Sequence, residues 1–429
     1  MHIVIIVSEI SSRLTYVCDW IFVQQLGVDY KFCTNKTEEQ EALLTIDYTN
    51  KVSDFSVPNI GLLFANSIEQ QSIHTGLWNE LPTLFAAQDA DHVLPFDLFS
   101  AVFYLISRYE EYVPFVPDRH HRYPAAESIL FKAGLLERPI IDEWLFALSK
   151  LLRDKGLSIH QKSFEFLPTY DIDIAWSFKH KGLKRTMGGY LRDIAKNNFE
   201  SLKERTAVLQ AKKKDPYFSF DVTDRLHRDN ELEPLYFILA AAQNTAWDKH
   251  ILPSNKHMSA LIQSLAQQYK IGIHPSYHAN AQPHLFREEQ KTLSTISGQQ
   301  MDISRQHYIK VEWPKTYRAL LEMDIRQDYS MGYSTHLGFR AGTSRSFFWY
   351  DLLAEAPTQL HIFPFCFMDT TAHYEMGLSV EEAFEKLHYF KNSLQKINGL
   401  MLTVFHNFSL GTDKEWIGWT EAYADFIKK

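Results

Sequence analysis

The sequence predicts an α/β protein: a distorted, incomplete (β/α) barrel preceded by a separate N-terminal α/β domain. Three observations predict it. Short strand-like runs alternate with helix-length segments through most of the chain, the signature of parallel βα units. Polar residues with catalytic potential close several of those runs, as they do on the carboxyl face of a (β/α) barrel. Finally, 429 residues exceed one ordinary domain, and Asp154-Lys155-Gly156 closes a helical stretch just before a boundary near residue 160.

The elements follow in order. Ile3 to Val7 reads as a first strand, and apolar residues at Leu14, Val17, Trp20, Ile21 and Leu26 recur at helical steps. Strand-like runs follow at Leu43 to Tyr48 and Gly61 to Phe64, then helical runs at Pro95 to Ile106 and Pro139 to Leu152. Between those helices, Pro114 to Pro124 reads as a loop around Asp118-Arg119-His120-His121-Arg122, a solvated cluster or an anion contact. Residues 1–160 form the N-terminal domain, and the sequence gives it no function.

Residues 161–429 carry the barrel. Its strands are expected at Phe164 to Tyr170, Tyr236 to Ala240, Ile271 to His274, Gly338 to Phe339, Gln359 to Phe363 and Leu402 to His406. The stretch from Lys179 to Asp215 holds eleven Lys/Arg against four Asp/Glu and reads as a helical insertion with a solvated basic face.

Composition narrows the function classes. Hydrophobic residues at 45% and charged residues at 22% are those of a globular protein with a large core. A net charge of −8 argues against nucleic-acid binding. Three cysteines make no disulfide framework. No apolar run approaches membrane-spanning length, and Met1 to Val7 lacks the basic start and cleavage site of a signal peptide, so a cytoplasmic location is expected. Aromatic content of 14% suits carbohydrate stacking, although filling a large core accounts for it better. The sequence specifies no oligomeric state.

Two segments carry chemistry. In Gly272-Ile273-His274-Pro275-Ser276-Tyr277-His278, a proline suited to a first helical position would put His274 and His278 one turn apart, facing one metal ion. Nineteen histidines produce such pairs by accident, so a third ligand matters. Thr169-Tyr170-Asp171-Ile172-Asp173 supplies one: two acids at i and i+2 of a strand point to the same side. They are solvated acids at a strand end, or a metal-binding carboxylate beside a carboxylate base. Two His and one Asp leave open positions on an ion for water and substrate.

These segments, followed by Gly338-Phe339-Arg340-Ala341-Gly342-Thr343 and then Val404-Phe405-His406-Asn407, resemble the motifs of the polysaccharide deacetylase superfamily, carbohydrate esterase family four, in the same order. The resemblance covers roughly residues 165–429. It is greatest to a bacterial branch with an extra N-terminal domain and stretches like Ser304-Arg305-Gln306-His307-Tyr308 and Asp328-Tyr329-Ser330-Met331-Gly332-Tyr333.

The resemblance implies a distorted seven-stranded barrel and a metal-dependent hydrolase that removes an N-acetyl group from an N-acylated sugar or glycan precursor. It implies Zn²⁺, or another divalent transition metal, on Asp173, His274 and His278. Asp171 would be the general base, Arg340 would orient it, and His406 would protonate the leaving amine. Asp369 would support His406, although the family's usual Asp-Trp pair is missing there. A backbone N–H near Thr343 would serve the oxyanion. Arg305, His307 and Tyr333 are left between substrate contact and structural support. Asp-x-Asp replaces the commoner adjacent acids, and Arg-Ala-Gly replaces Arg-x-Pro. Those departures keep two alternatives open: a catalytically silent barrel that binds glycan or a protein partner, and a hydrolase of non-sugar C–N bonds.

Overall fold

The computed structural model describes residues 3–34, 42–51, 53–87, 92–160 and 162–428. Near the N-terminus, β1 (Ile3–Ile6), β2 (Tyr30–Cys33) and β3 (Leu44–Asp47) form a small parallel sheet in the order β2-β1-β3. The expected helix after β1 spans Ser12–Cys18, with Ser11 accepting from Leu14 N as its cap, and runs on as a wider π-type turn to Leu26. Gly61 to Phe64, expected as a strand, instead forms a short 3₁₀ turn over Leu62–Phe64. A hairpin of β4 (Thr75–Trp78) and β5 (Leu81–Leu84) follows. Helices span Leu98–Ile106 and Ile140–Asp154.

The second part is built on a curled nine-stranded sheet. Its strands are β6 (Glu165–Ile172), β7 (Leu235–Leu239), β8 (Lys270–His274), β9 (Ile303–Ser304), β10 (Gln327–Met331), β11 (Phe347–Asp351), β12 (Ala356–Pro364), β13 (Phe367–Met368) and β14 (Leu400–His406). The order is β11-β12-β10-β9-β8-β7-β6-β14-β13, parallel throughout except β11 against β12. Helices such as Lys256–Gln268, Pro283–Ser297 and Val380–Lys396 make the crossovers that parallel strands require. The last of these starts at a capping box between Ser379 and Glu382. Central strands are covered on both faces, so β7 and β14 read as apolar runs without alternation.

The sequence misplaces one strand here. Gly338 to Phe339 is a loop, and Gly338 has φ 121°, a conformation closed to side chains. A Cβ at that position would collide with the carbonyl of Leu136, whose oxygen accepts from Phe339 N at 2.7 Å. The basic stretch forms two helices, Gly182–Ala195 and Phe199–Leu209.

The described residues of the first 160 pack against the large sheet. One continuous apolar cluster includes Ile5, Trp20, Phe103 and Trp144 from the first part together with Trp349, Phe339 and Phe405 from the second. Polar contacts also cross. Trp20 Nε1 donates to Ser346 O at 3.0 Å, and Arg13 Nε donates to Glu355 Oε2 at 2.9 Å. Asp142 accepts from Ser344 N at 2.9 Å. Among the described residues, no helix is long and apolar enough to cross a membrane.

Candidate functional site

The carboxyl ends of the parallel strands bring the candidate residues together. Asp171 lies in β6 opposite His406, the last residue of β14. His274 ends β8, and Arg305 follows β9 directly. Asp173 lies just past β6 on the same side as Asp171, as the period of two requires.

Three donor groups meet there. The ligand atoms of Asp173, His274 and His307 all lie within 4.8 Å of one another. Nε2 of His274 is 3.2 Å from Asp173 Oδ1, and Nε2 of His307 is 3.6 Å from Asp173 Oδ2. Donor atoms on a tetrahedral ion with bonds near 2.0 Å sit roughly 3.3 Å apart, so the spacing suits a shared ion. Asp173 Oδ1 is buried and makes no hydrogen bond. A buried carboxylate oxygen without a partner is costly unless a cation satisfies it. The residues therefore fit a divalent metal.

Neighbouring groups fix the rings. Nδ1 of His274 is 2.7 Å from the carbonyl of Arg305, and Nδ1 of His307 is 3.0 Å from Asp248 Oδ1. Each partner accepts a proton from Nδ1, which leaves Nε2 as the free ligand atom, the usual arrangement behind metal-binding histidines. Asp248 is fully buried and also accepts from Tyr277 N at 2.9 Å and Thr245 Oγ1 at 2.8 Å. Tyr308 and Ile309 follow with φ of 61° and 51°, an unusual backbone for a β-branched residue.

The second carboxylate is held separately. Asp171 Oδ1 accepts from Arg305 Nη1 at 2.8 Å, and its Oδ2 faces His274 Nε2 at 3.9 Å. On the other side, His406 Nδ1 is 2.7 Å from Asp369 Oδ1, while Asp369 Oδ2 accepts from His406 N at 2.7 Å. Nε2 of His406 points to Asp173 Oδ2 at 3.7 Å. Burial works against a charged imidazole, yet Asp369, followed by Asp173 and Asp171, pushes His406 up to about 9. Burial would likewise raise Asp173, but His307, His274 and His406 hold it well below the ordinary carboxylate range.

Several expected residues lie elsewhere. His278 does not join Asp173 and His274. No helix starts at Pro275; the chain turns instead, because Glu289 takes Ser276 N and Asp248 takes Tyr277 N. His278 is exposed and lines a different cavity with Ser276 and His284. His307 stands in its place.

Arg340 does not reach Asp171 either. Its Nε and Nη2 donate to Glu111 at 2.9 and 2.6 Å, and its Nη1 donates to Gly332 O at 3.2 Å. The loop at Gly338 turns the arginine toward the first part of the chain, and Arg305 occupies the role expected of it beside Asp171. The Thr343 hydroxyl donates to Asp142, away from the cluster. The buried Tyr333 hydroxyl accepts from Arg108 Nη2 at 3.4 Å, and Arg340 lies over its ring.

A cavity of about 250 Å³ opens above the cluster. Asp171, Asp173, His274, His307 and His406 line its floor. Asp248 was not legible as a site residue, since it lies in an irregular stretch with no periodic signal around it.

Comparison with known proteins adds the following. Residues 3–157 match a family model described as a family of unknown function, DUF7033. No curated protein matches the chain. Among solved structures, a polysaccharide deacetylase from Bacillus cereus is similar at 9% identity and a TM-score of 0.30, over 62% of this chain and 87% of that one. The PuuE allantoinase is similar at 10% identity and a TM-score of 0.38, over 62% of this chain and 82% of that one. At such scores the likeness carries no residue role to this chain.

Proposed function

We propose that the protein is a metal-dependent hydrolase that cleaves an amide C–N bond, releasing an acyl group from an N-acylated sugar or glycan precursor. One observation carries the reading: Asp173, His274 and His307 converge around a buried, unpartnered carboxylate oxygen, with a second carboxylate and an acid-paired histidine facing the same point. Asp173, His274 and His307 would hold the ion, and their mixed N/O set suits Zn²⁺ or a neighbouring divalent transition metal. Bound there, such an ion polarises a carbonyl and acidifies water.

The chain's own groups supply the proton transfers. Asp171 presents Oδ2 toward the cluster while Arg305 fixes Oδ1, so Oδ2 is the general base that removes a proton from the attacking water. His406 is steered by Asp369, whose carboxylate favours the protonated ring, so its Nε2 gives a proton to the departing nitrogen. Water adds to the carbonyl carbon, the C–N bond breaks, and a carboxylic acid and an amine result.

The test combines metal analysis of the purified chain with acetate release from N-acetylhexosamine derivatives. The expected result is near-stoichiometric metal and turnover that Asp171→Asn and His406→Ala each abolish. Turnover that survives both substitutions overturns the mechanism. Ligand binding without turnover, metal supplied, points to a silent binding barrel instead.

A further inference from the structure

We infer that the loop Asp118–Arg122, from the N-terminal part of the chain, forms an anion-recognition wall of the same cavity, with Arg119 contacting a phosphate or carboxylate on the substrate. The inference rests on the hydrolase reading for the word substrate, but not for the binding itself. It gives the first 160 residues a part in choosing the ligand.

The loop is a built structure rather than a loose tip. Asp118 Oδ1 accepts from His120 N at 2.8 Å and from Arg122 N at 3.0 Å, closing a tight turn. Arg122 is spoken for: Nε donates to Asp118 Oδ2 at 2.7 Å, and Nη1 donates to the carbonyl of Tyr308, next to the candidate ligand His307. His120 is buried and lies against Trp247, Tyr277 and Tyr308. These contacts lock the turn onto the rim of the cavity, which Arg119, His120 and Arg122 all line.

Arg119 differs from its neighbours. Its Nε donates to His120 Nε2 at 3.0 Å, which makes Nε2 the acceptor and sends the ring proton from Nδ1 to Tyr277 Oη at 3.0 Å. The strut Tyr277–His120–Arg119 thus orients the guanidinium. Among the described residues its two terminal nitrogens have no hydrogen-bond partner and no carboxylate pairs with it, and the side chain is exposed. A guanidinium held by Nε with a free terminal fork is preorganised for a two-oxygen anion. Glu375 lines the same cavity, and no ion pair joins it to Arg119 among the described residues. The chain's net charge of −8 offers anions no general attraction, so binding requires a local site.

The experiment is calorimetry on the full chain with three probes: N-acetylglucosamine, N-acetylglucosamine 6-phosphate and N-acetylmuramic acid. The phosphate and the carboxylate arms separate the two anion sources. At least one anionic sugar is expected to bind roughly ten- to a hundred-fold tighter than the neutral one, with affinity falling as salt rises. Arg119→Ala is expected to collapse that ratio and Arg119→Lys to restore part of it. Lys212→Ala, in the turn after the basic helix Phe199–Leu209, is expected to keep it. No anionic preference, or a preference that Arg119→Ala leaves intact, overturns the inference. Acetate release is read separately. An Arg119-dependent preference with no turnover of any probe sinks the hydrolase reading and keeps the anion site; turnover without the preference does the reverse.

Discussion

Arg305 and Asp171 form a buried ion pair, Nη1 to Oδ1 at 2.8 Å, in which the arginine leaves no trace of itself at the surface. Arg305 also donates from Nε to Tyr329 O at 2.9 Å, and its guanidinium stacks over the ring of Phe237. The pair fixes which carboxylate oxygen faces the cavity. Arg305→Lys keeps the charge but loses the fork, so Asp171 gains rotational freedom. Misplacing a base by an ångström costs about a hundred-fold in rate. Acetate release by Arg305→Lys is therefore expected to fall by about that factor, with metal content retained. Unchanged turnover would mean that Arg305 only supports the fold.

The ligand set is tested by removing one histidine at a time. His307→Ala is expected to strip most of the bound metal, because two ligands hold a divalent ion poorly. His278→Ala is expected to leave metal content intact, since His278 is exposed and faces another cavity. Asp248→Asn weakens the group behind His307, and metal affinity should drop roughly ten- to a hundred-fold. Elemental analysis after dialysis against a chelator series reads all three. The reverse order for the two histidines would restore the one-turn His274/His278 pair.

Much of the site was legible because its residues lie at the ends of strands that read clearly. His274 and His406 close β8 and β14 and Asp171 lies one residue before the end of β6, in buried strands that stand out in a sequence. His307 and Arg305 were named from the resemblance but given no definite role, because β9 is only two residues long and offers no period. His278 misled because the helix expected at Pro275 lost its backbone donors to two distant carboxylates. Arg340 sits where the order of motifs put it, but side-chain direction is a property of the loop at Gly338, and motif order carries none of that. The small sheet was half legible: β1 and β3 are apolar, while β2 carries Tyr30 and Lys31 on a partly exposed edge.

Glu111 sits between two arginines inside the protein. Arg340 and Arg108 both donate to it, and Arg108 also pairs with Glu110 at 2.7 Å. Burial would raise the Glu111 carboxyl, but Arg340 and Arg108 hold it below its ordinary value. Two cations thus balance two anions where the first part of the chain meets the second. Removing one member strands a buried charge, at about 3–5 kcal/mol. Glu111→Gln and Arg340→Ala are each expected to destabilise by that order, with strong coupling in a double-mutant cycle. Denaturant titration reads it. A loss of activity in Arg340→Ala without loss of stability would return Arg340 to the reacting groups.

Glu289 gives the fold a pH dependence. Its carboxylate is buried, accepts from Ser276 N at 2.9 Å and from the Ser276 hydroxyl at 2.5 Å, and anchors the turn after His274. Burial outweighs those bonds and, with Asp248 nearby, raises it from 4.5 to about 7. The folded state therefore holds this proton more tightly than the unfolded state does. Its contribution is fully present below 4.5 and is lost as pH rises through about 7, so stability should decline across that window. The shift corresponds to about 3 kcal/mol. Glu289→Gln keeps the shape and cannot ionise, so the decline between those two values should flatten in the variant. Urea titrations at several pH values decide it, and an identical slope in wild type and variant would assign the dependence to another group.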